Sequence, residues 1–571
     1  MAKRWLLQPL PAHNPAFKPD CLVSKLLMQR GIQSPNEANA FFNPNLNGLH
    51  DPFLMKDLSS AVDRVNQAME KGEKILLFGD YDVDGTTAVA LMYTILKKHY
   101  AEVDYYIPDR YTEGYGVSFI GIDYAAENNF SLIISLDCGI RSVDHVAYAK
   151  EKGVDFIVCD HHQPGDELPN CLVLDPKRSD CAYPYKELSG CGVGFKLLQG
   201  LTIRNEWSMS ELFDNLDLLA ISIGADIVAI TGENRILCAH GLNQLNASPR
   251  RAFRELLAVA KKDFPLTLTD VVFIIAPRIN AAGRLRSGRI AVELMISENT
   301  AAIQTLAHEI DQDNKNRRAL DKSITEEAIE MMEKDPNYEH KKSTVVFRPD
   351  WHKGVVGIVA SRLIEKRFRP TIVLTESNGK ATGSARTVND FDLYGALCEC
   401  ADHLEQFGGH RHAAGMTMPL ENVEPFMEQF ETVVQQRISP EDEFPTVKID
   451  LEVQFNEIFK NEEHRTQVPQ FKRDLAGFEP HGPGNMTPVF MARNVYSRDF
   501  RILKDAHLKL LVTQPQYNIA IDAIAFNMAD KVDLITHGMP YDIAFTLEIN
   551  AWNGKETLQL NIKDIRAAEN S

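Results

Sequence analysis

The sequence predicts a multidomain α/β protein: a parallel-sheet domain, a smaller α/β domain reached through long helices, and a C-terminal antiparallel β-barrel. Three observations carry this. Between residues 51 and 285, apolar runs of strand length alternate with helix-compatible stretches. Around residues 286–335 lies a helix-forming stretch with no Pro or Gly from Ala291 onward. From residue 438 onward, short segments alternate apolar and polar residues. Long parallel crossovers, long helices and half-buried antiparallel strands leave these three signatures respectively.

Residues 1–50 read as an irregular lead-in ending in "NPNLNGLHDPF". In residues 51–285 the strands are "ILLF" (75–78), "VDYYIP" (103–108), "LIISL" (132–136), "DFIVCD" (155–160) and "CLVLDP" (171–176). Each is bounded by Gly, Asp or Pro, as buried parallel strands are. Residues 286–335 read as one or two long helices joining domains. Residues 336–437 open on "STVVFRPDWHKGVVGIVASRLIEKRFRPTIVLTES", a strand, loop, helix and strand. In residues 438–571, "HLKLLVT", "YNIAIDAIAF", "YDIAFTLEIN" and "ETLQLNIKDI" are the barrel strands.

A length of 571 residues calls for three or four domains. The 44% hydrophobic and 25% charged content is that of a soluble globular chain. No apolar run is long enough to span a bilayer, and "MAKRWLLQPLPAHNPAF" has no signal-peptide core or cleavage site, so a cytoplasmic protein is expected. The 9 cysteines are scattered without a C-x-x-C pair, which argues against a zinc ribbon and a disulfide framework. The net charge of −18 disfavours general nucleic-acid binding but leaves room for a local basic surface.

The chemistry begins at "KILLFGDYDVDGTTAVALMY" (74–93), where Asp80, Asp82, Asp84 and Gly85 match the opening of an EF-hand loop. That loop needs a bidentate Glu at its twelfth position, which is Leu91, and a preceding helix where "KILLF" is a strand. A strand end delivering carboxylates into a crevice is the better reading, since open α/β sheets place their sites there. "LIISLDCGI" ends on Asp137, "DFIVCDHHQP" on Asp160, His161 and His162, and "LLAISIGADIVAI" carries Asp226 within an apolar run. One such aspartate caps a turn or helix as a rule. Several at equivalent strand ends, with one in an apolar run where an unpaired carboxylate is costly, point to a shared metal site. Carboxylate and imidazole without thiolate suit Mn²⁺ or Mg²⁺. The ligands suffice for two ions, bridged by Asp137, a pair that suits phosphoester or phosphodiester hydrolysis.

"DYDVDGTTA", "SLDCGI", "CDHHQP" and "GADIVAI", in this order, resemble the four motifs of the DHH phosphoesterase superfamily. "GSART" (383–387) and "GGHRHAAG" (408–415) resemble its companion DHHA1 domain. "PDRYTEGYG", "ELSGCGVGFKL", "TGENRIL", "PRINAAGRL" and "WHKGVVGIVASRL" resemble the RecJ family of bacterial single-strand-specific 5′→3′ exonucleases. "FEPHGPGNMTPVF" (478–490) precedes a segment like that family's OB-fold. The resemblance spans nearly everything from residue 50.

The resemblance implies that Asp80, Asp82, Asp84, Asp137, His161 and Asp226 hold two Mn²⁺ or Mg²⁺ ions, with Asp82, Asp84, Asp137, Asp160, His161 and His162 catalytic. Asp160 would orient the imidazoles and His162 would face the scissile phosphate. Cys138, Cys191, Gly224 and His481 depart mildly from the family pattern, and His481 weakens the case for its loop stacking on a base.

Substrate contacts expected on this basis are Arg110, Ser384 and Arg386 at a terminal 5′-phosphate. Gly408, Gly409 and His410 would approach a phosphate. Arg278, Asn280 and Arg284 lie in a basic run with Arg286 and Arg289 that would track the strand. The barrel would add a stacking groove. Single-stranded DNA would thread between the DHH and DHHA1 domains and leave as 5′-mononucleotides. A monomer working in recombination and repair with a single-strand-binding protein and a RecQ-type helicase is expected, with no membrane partner. A nanoRNase or cyclic-dinucleotide phosphodiesterase would lack the connector and barrel. A non-enzymatic scaffold would have lost the ligands, and all are present.

Overall fold

The computed structural model describes residues 3–12, 14–18, 21–459, 468–515, 517–536, 538–552 and 555–568. The chain divides into two compact units. One comprises Ala40–Arg317 with Glu479–Met486; the other comprises Met1–Asn39, Arg318–Phe478 and Thr487–Ser571. Among the described residues no helix is long and apolar enough to cross a membrane.

The first unit is built on a fully parallel five-stranded sheet. Its order is Val103–Tyr106, Lys74–Gly79, Phe130–Leu136, Asp155–Cys159, Leu172–Leu174. The first strand in sequence, Lys74–Gly79, lies between the second and the third, so the winding reverses there. The crevice at the carboxyl ends of such a switch point is where doubly wound sheets bind ligands. Strand residues alternate between two cores. Ile75 and Leu77 pack with residues of the helices Leu58–Lys71, Val83–His99 and Gly190–Arg204, and Leu76 and Phe78 with those of Phe119–Glu127 and Val143–Glu151. Each buried aliphatic or aromatic side chain stabilises the sheet by about 1.5–3 kcal/mol.

The second unit holds a mixed sheet of order Gln406–His410, Ala413–Pro419, Lys380–Arg386, Thr371–Ser377, Thr344–Phe347. It also holds a closed barrel of Phe490–Leu503, His507–Gln514, Tyr517–Ala525, Lys555–Ala567 and Tyr541–Trp552, the last pairing back onto the first. Five strands closed in this way form an OB-type barrel. All four strands expected from the alternation are present. The helical connector consists of Arg289–Ile296 and the 35-residue helix Thr300–Lys334.

Three expectations need correction. Residues 1–50 are not irregular: Arg4–Leu7 pairs in parallel with Thr446–Ile449, and Leu22–Gln29 and Pro35–Phe42 are helices. Elements this short gain their order from packing on distant chain, which local pattern does not register. Nor do residues 1–50 form one body, because the division falls at Asn39. Lastly, Glu479–Met486, expected within the C-terminal domain, belongs to the unit of the parallel sheet.

Candidate active site

The carboxyl end of Lys74–Gly79 delivers Asp80, which is fully buried. Its Oδ1 accepts from the Gly116 amide at 3.2 Å, and its Oδ2 is buried without a hydrogen-bond partner. Asp82 is the N-cap of the helix Val83–His99, accepting from the Gly85 amide at 3.1 Å. Gly85 is needed for close packing: a Cβ there would lie 2.5 Å from the Asp80 carbonyl oxygen. Asp84, in the first helical turn, is held by three donors. These are the Gly190 amide at 2.7 Å, the Cys191 amide at 2.8 Å and the Ser222 hydroxyl at 2.6 Å. Gly190 opens the helix Gly190–Arg204, and two amides at a helix N-terminus suit an anion.

Asp137 follows Phe130–Leu136 with φ of 63°, a conformation uncommon outside glycine that Asp tolerates better than most. Asp160 follows Asp155–Cys159 and is saturated. Its Oδ2 accepts from the Ile140 amide at 2.9 Å, and its Oδ1 from the His161 amide and from His162 Nδ1, each at 2.7 Å. Of the two imidazoles it meets only the His162 ring; from His161 it accepts the backbone amide alone.

His161 Nε2 is the centre of the cluster. It lies 3.2 Å from Asp137 Oδ1, 3.5 Å from Asp226 Oδ2 and 3.8 Å from Asp84 Oδ2. Yet both ring nitrogens, and Asp137 Oδ1, are buried without a hydrogen bond. Asp84, His161 and Asp226 form one group of converging ligand atoms, and Asp137, His161 and His162 another. Buried polar atoms are almost always bonded. Orphaned acceptors converging on a point fit a bound cation. Carboxylate oxygen and imidazole nitrogen are the donor set of Mn²⁺ or Mg²⁺.

The electrostatics agree. Burial, then the neighbouring carboxylates, push Asp80, Asp137 and Asp226 far above the usual carboxylate range, and Asp82 above it. A divalent cation would reverse this. Burial lowers His161 to about 4, and a neutral imidazole is the form that suits a metal. Burial also works against a charge on His162, but the Asp160 carboxylate outweighs it and pushes His162 up to about 9. The His162 side chain is 44% exposed.

Asp226 caps the C-terminal end of the helix Leu216–Ala225. A fully buried helix is apolar all round, which is why the aspartate stands within an apolar run.

Four participants had no role in the sequence reading. Tyr115 reaches His162 Nε2 at 3.2 Å and the Asp137 carbonyl at 3.3 Å. It lies in "TEGYG", between two glycines with positive φ, which was the available signal. Ser222 and Gly190 hold Asp84 from more than a hundred residues away, beyond any local pattern. Asp175 ends the strand Leu172–Leu174 fully buried. "LVLDP" carries a fourth strand-end aspartate.

Among the expected substrate contacts, Arg110 lies 4.9 Å from the Tyr81 ring, beside the aspartates. Arg278, Asn280 and Arg284 lie on the helix Ala276–Leu285. The basic run is not a bare cationic strip. Arg278 is paired with Asp311 at 3.0 Å, Arg286 with Asp313 at 2.7 Å and Arg289 with Glu293 at 3.0 Å. In the second unit, adjacent strands place Arg386 and His410 opposite Ala413, Ser384 opposite Gly415, and Gly409 opposite Ala414. Arg386 and Ser384 lie against Gly357, at the start of the helix Val356–Lys366. Burial lowers the Arg386 guanidinium, and no carboxylate offsets it.

A doubly wound sheet whose switch-point crevice gathers DHH-type aspartates and histidines, in a chain that also carries a DHHA1-type sheet, defines a DHH phosphoesterase. Family profiles agree: DHH family, N-terminal domain, over residues 74–223; DHHA1 domain over 340–436; and RecJ OB domain over 449–564. The single-stranded-DNA-specific exonuclease RecJ of Bacillus subtilis is 37% identical over 555 residues, 96% of this chain and 68% of the relative. That of Escherichia coli K12 is 31% identical over 97% of this chain and 96% of the relative. The crystal structure of Thermus thermophilus RecJ with Mn²⁺ superimposes with a TM-score of 0.83 at 28% identity, covering 99% of this chain and 80% of the other. The same organism's RecJ with Mg²⁺ gives 0.77 at 26% identity, covering 99% and 79%. The chain belongs to the RecJ family.

Proposed function

We propose that this chain is a metal-dependent, single-strand-specific 5′→3′ DNA exonuclease that releases 5′-mononucleotides. The observation that carries the reading is the approach of Asp137, Asp226 and Asp84 oxygens to within 3.2–3.8 Å of His161 Nε2, without hydrogen bonds that would explain it. The names of the relatives supply the substrate.

Asp80, Asp82, Asp84, Asp137, His161 and Asp226 would hold two Mn²⁺ or Mg²⁺ ions. Such a pair, when bound, activates water and neutralises charge developing on phosphate oxygens. Asp160 keeps His162 protonated through Nδ1, so that its exposed imidazolium meets the scissile phosphate as a cation. Tyr115 accepts from His162 Nε2 and donates to the Asp137 carbonyl, fixing the ring plane. Arg110, Ser384 and Arg386 would receive a terminal 5′-phosphate, Gly409 and His410 would approach a phosphate, and Arg278, Asn280 and Arg284 would track the following backbone. The buried guanidinium of Arg386, without a carboxylate partner, supports that role. A single-strand-binding protein and a RecQ-type helicase are fitting partners, because one coats and the other generates the substrate. A monomer acting in the bacterial cytoplasm during recombination and repair suits this work.

The test is Mn²⁺-dependent release of mononucleotides from 5′-phosphorylated single-stranded DNA by wild type and Asp137→Ala. Loss of at least about a thousandfold is expected, on the scale of removing a central transition-state stabiliser. Equal rates would sink the two-metal assignment.

A further inference from the structure

The segment "EPHGPGNM", Glu479–Met486, is packed with the catalytic unit, whereas the chain on either side belongs to the other unit. Its contacts there fall on the loop 226–231 and on the first turn of the helix Gly232–Ala247 that follows it. The Ile230 amide donates to the Pro483 carbonyl at 2.7 Å. Arg235, 4% exposed, donates to the Glu479 carbonyl at 3.0 Å. The fit leaves no space: a Cβ on Gly482 would lie 2.5 Å from Ile230 Cγ1, and one on Gly484 2.9 Å from Thr231 Cγ2. The segment is braced internally, since Gly482 and Asn485 exchange backbone hydrogen bonds at 3.1 and 2.9 Å. Asn485 Nδ2 also donates to the Pro480 carbonyl at 2.9 Å.

The braced loop begins at Asp226. The next residue, Ile227, has φ of 59° and is 65% exposed. A β-branched residue rarely adopts that conformation, and it persists only where the surroundings impose it. Ile227 itself has little packing to impose it. The fixed points lie further on. The Ala229 carbonyl accepts from Tyr185 at 3.1 Å and Asn234 at 3.0 Å, and the Ile230 amide is held by Pro483. The backbone that aims the Asp226 carboxylate is therefore stretched between the end of its helix and a clamp.

We infer that Glu479–Met486 is a positioning element for Asp226, setting metal affinity through the loop 226–231. The inference rests on Asp226 being a metal ligand. Gly482 and Gly484 are then small so that the clamp can close on Ile230 and Thr231, and His481 need not stack on a base.

The experiment measures Mn²⁺ binding to the full-length protein by titration calorimetry, without DNA, for wild type, Gly482→Ala, and Gly482→Ala combined with Ile230→Ala. Gly482→Ala should weaken Mn²⁺ binding by about 10- to 100-fold, the usual scale for groups that support a ligand. Removing the Ile230 side chain atoms that the new methyl meets should restore most of it. Asn485→Ala, which removes the amide donor to the Pro480 carbonyl, is an independent variant should either first variant fold poorly. The KM for single-stranded DNA at saturating Mn²⁺ should stay within about twofold, since each substitution acts through a ligand and not the strand. Unchanged Mn²⁺ affinity in both Gly482→Ala and Asn485→Ala, or a Gly482→Ala loss that Ile230→Ala does not restore, would overturn the inference. Wild type that binds no Mn²⁺ would overturn the assignment of Asp226 itself, and the inference with it.

Discussion

Asp82 shows how one residue satisfies two accounts. It caps the helix Val83–His99, the ordinary reason for an aspartate after a strand, and burial with the Asp84 charge raises its carboxyl, which a cation would offset. Asp175 shows the opposite case. Its Oδ1 accepts from the Lys177 amide at 2.6 Å, but its Oδ2 is buried without a partner, and burial pushes the group up to about 7. The folded state therefore holds this proton up to a higher pH than the unfolded state does. The stability linked to it is present below the ordinary carboxylate range and is lost as the pH rises towards about 7. Asp175→Asn keeps the acceptor for Lys177 and cannot ionise. It should melt higher than wild type at pH 8, with the gap closing towards pH 5. A gap that does not widen with pH would show that Asp175 is not a neutral buried acid.

At the level of elements, the start of the helix Gly190–Arg204 holds Asp84 through two amides while its first residue touches Asp137. A Cβ on Gly190 would lie 2.5 Å from Asp137 Oδ1 and 2.8 Å from its Cα, so backbone must move. Two residues on, a Cβ on Gly192 would meet nothing closer than 3.4 Å. Gly190→Ala should thus weaken Mn²⁺ binding by about tenfold or more, as disturbing a ligand's support does. Gly192→Ala should leave binding unchanged and stabilise the helix by up to about 1 kcal/mol. Calorimetry and thermal melts on the pair check both; equal behaviour of the two would remove the special role of Gly190. The same elements show what the sequence could disclose. Lys74–Gly79, Phe130–Leu136 and Asp155–Cys159 were legible because burial on both faces writes a continuous apolar run closed by a polar end. Leu216–Ala225 showed only as an apolar run, because burial on all sides erases the helical period. Gly190, Ser222 and Glu479–Met486 were opaque because their partners lie far along the chain, and only the fold brings them together.

For the whole molecule the question is how a chain of net charge −18 engages a polyanion. The basic run of the helix Ala276–Leu285 and its continuation offers less than its composition suggests. Arg278, Arg286 and Arg289 already face Asp311, Asp313 and Glu293, and Arg286 also faces Glu309. Paired arginines can still position a strand by hydrogen bonding, but they displace fewer counterions than bare ones. Few cations such as Arg386, which has no carboxylate among the influences on it, are then left to neutralise phosphates. For single strands the logarithmic salt slope is about −0.7 per phosphate neutralised, so contact with about four phosphates gives a slope near −3. Binding of a phosphorothioate oligonucleotide, followed by fluorescence anisotropy across a salt series at constant Mn²⁺, should give a slope no steeper than this. Arg386→Ala should flatten it by about 0.7, the loss of one neutralised phosphate. A slope of −6 or steeper, on the same scale of about 0.7 per phosphate, would mean that the paired arginines release their carboxylates when DNA binds, and the strand would then be held by a cationic track.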